Sequence, residues 1–392
     1  MQAAGRIGNC VFDGYLLPSV FGWEQVMIIG GYIMANITAS MVKDLREMTG
    51  AGMMDCKKAL TETDGDMDAA VEFLRKSGAA KAEKKATRIA AEGICRVALA
   101  DGKGVVVEVN SETDFVAKNE VFQEFVQSVA DAALASGLNG GKNGEEAAEL
   151  LEKAGLKDTL VEKTATIGEK LSFRRFEKVE ADCVVSYLHG GGRIGVLVAG
   201  NGASDDAAKE ALTNIAMQVA AMSPSYISRD EISDEMLAKE KEITIDAALN
   251  DPASLPKPIL QSLFTKALDG VWSAEDAKAY EEQKNNKFLF NFLSKEAAAQ
   301  LAALAMDDKA AIVENKIFAG LVDGRISKHL KEICLLDQVY VRAEDGKQTV
   351  AAYLKSVNPS LSVAKIIRFE VGEGMEKKNE DFAAEVAAQM NA

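Results

Sequence analysis

At 392 residues, with 60 acidic against 45 basic side chains and a net charge of -15, the chain is too long for one ordinary core and too acidic to hold a phosphate backbone without a local basic stripe. Tight binding of nucleic acid is therefore set aside in favour of a protein partner. A composition that is 48% hydrophobic but only 6% aromatic, rich in Ala, Val, Leu and Met, favours helices packed on small sheets over an all-β sandwich, so an α-rich α+β protein is expected.

Residues before Met34 follow neither the helical nor the strand period, although they include Trp23, and they lack a basic start and a small-residue cleavage site. Met34 is read as the natural start, with Gly30-Gly31 encoded by a purine-rich ribosome-binding sequence just upstream. From there Thr38 or Ser40 caps a helix with Met41, Val42, Leu45 and Met48 on one face. Gly50-Ala51-Gly52 ends it, and a second helix carries Met53, Met54, Ala59 and Leu60. Asp66 caps a third helix with Met67, Ala70, Val71 and Leu74, stopped by Gly78. The basic helical stretch 79–91 reads as a solvated connector.

Alternation over Gly93–Ala100, a turn at Asp101-Gly102 and the run Val105–Val109 predict a β-hairpin. The loop SETDF follows at once, then a helix over about 119–135 with Val121, Phe122, Phe125, Val126 and Val129 at helical spacing. The order partly recurs in a strand at Phe173–Val179, a strand at Cys183–Leu188, a glycine turn at Gly190–Gly192, a strand at Ile194–Val198 and a helix over about 207–221. An internally duplicated sheet-plus-helix unit is expected. From about 229 to 330 the chain is charged and helical, broken at Pro252, Pro256 and Pro258, which reads as a long helical hairpin or small helical insert. A helix at Gln348–Val357, a strand at Ala364–Val371 and a short amphipathic helix at Asp381–Met390 complete the chain.

Several motifs fail on context. Gly190 to Gly195 fits G-x-G-x-x-G, but a dinucleotide site needs that loop to open a helix, and here it opens a strand. Asp64, Asp66 and Asp68 imitate a calcium loop, yet Ala69 and Arg75 stand where glycine and glutamate belong, so they read as capping acids. No signal brings His189 or His329 to a second metal ligand. Cys10, Cys56, Cys95, Cys183 and Cys334 lie far apart with no C-x-x-C pair, which fits free thiols in a reducing cytosol, and Cys56 reads as a small buried hydrophobe. No apolar run reaches the roughly 18 residues a bilayer span needs. The residues alone thus predict a cytoplasmic, multi-domain interaction protein with no enzymatic motif, no cofactor and no membrane partner.

Two strings carry the reading further. TGAGMMDCKKAL, Thr49–Leu60, and ETDFVAKN, Glu112–Asn119, closely resemble the signature segments of the elongation factor Ts family, and ITASMVKDLRE matches its opening. HGGGRIGVLVA from His189, IIRFEVGEGMEK from Ile366 and DFAAEVAA from Asp381 follow in the family's order, so the resemblance covers nearly all of 34–392. Residues before Met34 have no counterpart. The region from about 251 to 308 is longer than the family's usual dimerisation segment, which leaves dimer geometry open.

The resemblance implies a ubiquitin-associated-like three-helix N-domain (34–86) after an extension of doubtful translation (1–33). An antiparallel sheet-plus-helix core follows in two subdomains, one at 87–173 and the other at 174–227 and 331–372. A helical dimerisation insert lies at 228–330 and a short helical C-terminal module at 373–392. It also implies a guanine-nucleotide exchange factor for elongation factor Tu, bound in GDP-loaded and nucleotide-free forms, with a homodimer through the insert among the implied partners and no direct nucleic-acid contact. Leu45, Met53 and Met54 match positions that dock on the GTPase domain, or else seal the three-helix core. Thr113, Asp114, Phe115 and Val116 match the segment that disturbs the Mg²⁺ and phosphate end of the nucleotide site. Without the family, Phe115 reads as a loop anchor in its own core. Ile167 and His189 match core positions that line the contact with Tu. The rival readings are a protein-binding scaffold without exchange activity and an enzyme with a nucleotide site at the Gly190–Gly195 turn.

Overall fold

In the computed structural model, which describes residues 37–376, the chain opens with three short helices. Helix α1 (Ala39–Thr49) is capped by Thr38, whose Oγ1 accepts from Met41 N at 3.3 Å, and it ends at Gly50, where φ is +65°. Helix α2 (Met53–Glu62) follows, and α3 (Met67–Lys85) is capped by Asp66, which accepts from Ala69 N at 2.9 Å. Leu45, Cys56, Ala59, Leu60 and Ala70 are fully buried between them. The expected stop at Gly78 does not occur. An interior glycine costs only about 1 kcal/mol relative to alanine, and the following Ala79, Ala80, Lys81, Ala82 and Glu83 are strong helix formers that carry α3 on to Lys85. The helical part of the basic connector ends there, short of Ala91.

The chain divides into two units between Lys76 and Ser77. In the second unit, strands β1 (Glu92–Ala100) and β2 (Lys103–Ser111) form the hairpin around Asp101-Gly102. A one-turn helix α4 (Asp114–Ala117) and the helix α5 (Glu120–Ala135) follow. Next come the two-residue strand β3 (Gly140–Gly141), helices α6 (Ala147–Lys153) and α7 (Lys157–Ile167), and strand β4 (Ser172–Glu180). These strands make an antiparallel sheet of order β1-β2-β4-β3. Phe122, Phe125, Val126 and Val129 on α5, spaced i, i+3, i+4 and i+7, seal it against Val105, Val107, Val109 and Phe176. Val121 falls beside that stripe and is exposed, a departure from the expected face.

Strands β5 (Cys183–His189) and β6 (Ile194–Asn201) form a second hairpin across the 3₁₀ turn Gly190–Gly192, followed by α8 (Asp206–Met222). The chain then enters a helical array: α9 (Asp234–Leu249), α10 (Lys257–Leu268), α11 (Ala274–Gln283), α12 (Lys295–Asp307), α13 (Lys309–Val313) and α14 (Lys316–Ile333). Pro256 and Pro258 sit at the start of α10, where a missing backbone N–H costs nothing. Phe264, Trp272 and Tyr280 centre the array's own core, and the Trp272 indole donates to Ala297 O at 3.1 Å. Helix α15 (Val350–Val357) and strand β7 (Ser362–Glu370) return to the second sheet, of order β5-β6-β7.

Both sheets are threaded alike: a hairpin, a helix across one face, then a strand antiparallel to the hairpin's second strand. The segment Phe173–Val179, expected to open the second repeat and split there at 173/174, instead closes the first by pairing with β2. Alternation marks a strand but not its neighbour. The sheets pack face to face through Cys95, Val106, Val179, Leu197, Ile367 and Phe369. A Cβ on Gly195 would lie 2.8 Å from the Cys95 Cβ, so glycine sets this close approach.

At the edge of that interface Glu108, fully buried, accepts from Arg175 Nε at 2.6 Å, Arg174 Nη1 at 3.0 Å, Asn110 Nδ2 at 3.1 Å and Gly372 N at 2.9 Å. Arg175 also lies 4.2 Å over the Phe369 ring. The network ties the first sheet to the chain leaving β7. The extension 1–33, Met34 and the amphipathic helix at Asp381–Met390 lie outside the described residues.

Candidate functional site

The β2–β4 ladder ends at the pair Asn110–Ser172. Past that point the two strands diverge, and side-chain carboxylates replace the backbone bonds. Glu169 Oε2 accepts from Glu112 N at 3.1 Å and Thr113 N at 3.0 Å, and its Oε1 accepts from the Thr113 hydroxyl at 2.6 Å. In return Glu112 Oε1 accepts from Lys170 N at 2.6 Å, and Arg88 Nη1 lies 3.2 Å from the same oxygen. The Ser111 hydroxyl donates to Thr113 O at 3.0 Å.

On this base Thr113 caps the single turn Asp114–Ala117, with Val116 N reaching its hydroxyl at 3.5 Å. Val116 and Ala117 are buried in the first core, while Phe115 is 79% exposed. Asp114 is exposed and pairs with Lys118 at 2.6 Å; that hydrogen bond holds its carboxyl below the usual carboxylate range. Asn119 caps α5 by accepting from Phe122 N at 3.3 Å. A short, well-bonded knuckle therefore holds one aromatic ring outward, tethered on its inner side. An exposed phenylalanine forgoes about 1.5–3 kcal/mol of burial. The ring is thereby left accessible on a fixed frame.

Ile167, the last residue of α7, is half-buried against the same core, and Gly168, at φ +88°, turns the chain so that Glu169 meets Thr113. His189 is exposed at the end of β5, its Nδ1 3.2 Å from the Tyr187 hydroxyl. Arg96 stands between this turn and the knuckle. A Cβ on Gly192 would come 2.8 Å from Arg96 Nη1, Arg96 Nη2 donates to Gln123 Oε1 at 2.8 Å, and Gln123 Nε2 donates to Ala117 O at 3.1 Å. The turn opens β6 rather than a helix.

In the three-helix unit the candidate residues separate. Met53 and Met54 are 60% and 76% exposed, and Met48 joins them at 64%. Leu45 has no exposed surface; it fills the core between the helices, the alternative the sequence left open beside a docking role. Sequence reasoning missed Glu169, Lys170 and Arg88. Glu169 lies 56 residues from Thr113, and no local pattern announces that pairing.

Among the described residues no group of three or more His, Cys, Asp or Glu side chains is placed to hold a metal ion. His329 faces Glu240 at 3.7 Å. Cys56, Cys95, Cys183 and Cys334 are buried, and burial pushes each thiol up from its ordinary value. No helix among the described residues is long and apolar enough to cross a membrane.

A family model described as elongation factor TS matches residues 112–373, from the base of the Phe115 knuckle to the end of the Glu108 network. A relative from Clostridioides difficile (strain 630), named elongation factor Ts, is 44% identical over 368 residues, covering 91% of this chain and 100% of its own length.

Proposed function

The chain belongs to the elongation factor Ts family and is a translation elongation factor, and we propose that it acts as the guanine-nucleotide exchange factor of elongation factor Tu. The observation that carries the reading is Phe115, 79% exposed on a knuckle bonded at its base. On this reading the ring wedges against the Mg²⁺ and phosphate end of the Tu nucleotide site. Asp114 brings negative charge to a place organised around a cation and a diphosphate, and Thr113 and Val116 fix the turn that carries both. Loss of the metal contact and of backbone donors weakens the hold on GDP. The exposed Met53 and Met54 are assigned to docking on the GTPase domain, since flexible thioethers fill irregular grooves. His189 and Ile167 support the core side of the contact, and residues 228–330 are assigned to self-association.

The chain transforms no bond in this scheme. If it weakens GDP binding to Tu by some factor, GDP weakens the binding of this chain to Tu by the same factor, and GTP then displaces the chain. Stopped-flow release of a fluorescent GDP from Tu of the same organism, with the full chain added, tests the reading. Wild type is expected to accelerate release and Phe115→Ala to lose most of that acceleration while still binding Tu. Binding without acceleration by wild type would replace exchange with a scaffold role for the methionine-edged helices.

A further inference from the structure

We infer that Glu169 is the positioning residue of the Phe115 knuckle, setting its direction from the segment that leads into β4; the inference rests on the exchange reading above. Three bonds converge on this one carboxylate, two from consecutive backbone amides and one from the hydroxyl that caps the turn. They take over where the β2–β4 ladder stops at Asn110–Ser172. The reverse bond, from Lys170 N to Glu112, makes the exchange reciprocal, so segments 111–113 and 168–170 are zipped by side chains instead of backbone. Charge-assisted bonds to backbone N–H groups are short and strong for their kind. The carboxylate is itself delivered by two fixed features: the half-buried Ile167 packed on the core, and Gly168, whose φ of +88° lets α7 end and the chain turn.

Besides Glu169, the Ser111 hydroxyl on Thr113 O and Gln123 Nε2 on Ala117 O tie the two ends of the turn, one bond each. Toward solvent lie the Asp114–Lys118 pair, both members more than half exposed, and Lys118 Nζ 6.0 Å over the Phe115 ring, and such exposed contacts contribute little. Toward the core, Val116 and Ala117 fix the depth of the turn, but a buried aliphatic contact is non-directional. Glu169 supplies the direction. It touches neither partner nor nucleotide in this scheme, so its loss leaves the apolar docking surface intact and loosens only the wedge. Glu169→Ala is therefore expected to lower the maximal stimulated GDP-release rate by about tenfold or more, the factor that corresponds to freeing one or two backbone residues. The chain concentration giving half-maximal stimulation is expected to stay within about twofold. Glu169→Gln keeps one acceptor oxygen for the two amides and is expected to recover most of the rate.

The test is stopped-flow release over a concentration series for wild type, Glu169→Ala and Glu169→Gln, paired with hydrogen–deuterium exchange over residues 112–119. Faster amide exchange confined to that segment in Glu169→Ala, with a depressed maximal rate and rescue by Glu169→Gln, supports the inference. Unchanged amide exchange, or faster exchange with a wild-type release rate, overturns it. So does a variant whose loss lies wholly in the half-maximal concentration, or one whose amides loosen throughout the second unit. Should wild type itself fail to accelerate release, the exchange reading falls, and this inference falls with it.

Discussion

Replacing Glu108 by glutamine changes one heavy atom, yet it strikes the point where both sheets and the chain leaving β7 meet. The carboxylate is fully buried and receives Arg175 Nε, Arg174 Nη1, Asn110 Nδ2 and Gly372 N. Glutamine offers one oxygen to those four donors and turns its NH₂ toward at least one of them. Arg175, only 3% exposed, then keeps a single carboxylate partner, Glu373, which is 43% exposed. Removing one member of a buried ion pair costs up to about 3–5 kcal/mol, of which the remaining Glu373 offsets a part. That exceeds any change expected at a surface pair such as Lys103–Glu180, where both side chains are about half exposed and about 0–1 kcal/mol is at stake. The assay is equilibrium urea denaturation followed by far-UV circular dichroism on Glu108→Gln and Lys103→Ala beside wild type. A large fall in midpoint for the first and a negligible one for the second is expected. A Glu108→Gln stability that falls by less than about 1 kcal/mol, taken from the midpoint shift at the same slope, would refute the view that this carboxylate clamps the two sheets.

Leu45→Ala and Met54→Ala should separate folding from docking: the first, fully buried, should cost about 2–5 kcal/mol of stability, and the second, 76% exposed, should stay within about 0.5 kcal/mol while weakening Tu binding. Thermal melts and calorimetric titration of the same two variants would show it. A thiol reagent at pH 8 should leave Cys56, Cys95, Cys183 and Cys334 unlabelled in the native protein and label them on unfolding; burial raises each thiol pKa, so the reactive thiolate is scarce at that pH. Peptide mapping by mass spectrometry reads this directly. Gly372→Ala should destabilise the second unit by more than about 1 kcal/mol, because φ there is +72° and the new Cβ would meet Ala91 O at 2.2 Å. A melt equal to wild type would contradict that geometry.

What the sequence disclosed was local. Thr38, Asp66 and Asn119 cap helices because a short polar side chain one step before an apolar stripe satisfies orphan amides, and that signal lies within a few residues. The Asp101-Gly102 turn and the glycines at 190–192 were legible for the same reason. Tertiary choices were not. Leu45 and Met54 are both apolar and lie nine positions apart, but one is withdrawn and the other presented, which depends on how three helices cross. β4 alternates as a strand of either sheet would, and only pairing assigned it to the first. Gly78 carries a stop signal that its neighbours outweigh. Glu108 stands among valines in a strand buried on both faces, a sequence hint that some buried cation must answer it, though not which one.

The fixed geometry of the knuckle bears on how an exchange factor has to work under the proposed scheme. Coupling between nucleotide and factor is reciprocal, so the wedge must lose contact energy of its own whenever GDP is fully seated, and regain it as GDP loosens. A ring on a flexible loop would evade that conflict by moving aside, and ordering it again would cost about 1–2 kcal/mol per backbone residue. Held by Thr113, Glu169 and the buried Val116 and Ala117, the turn under Phe115 resists that retreat, and on the proposed scheme the strain of a doubly occupied site falls on the phosphate and metal contacts of the partner. On the proposed scheme the division of residue types follows: Met53 and Met54, assigned to docking, can adapt to a groove, whereas the ring of Phe115, assigned as the wedge, must not adapt at all.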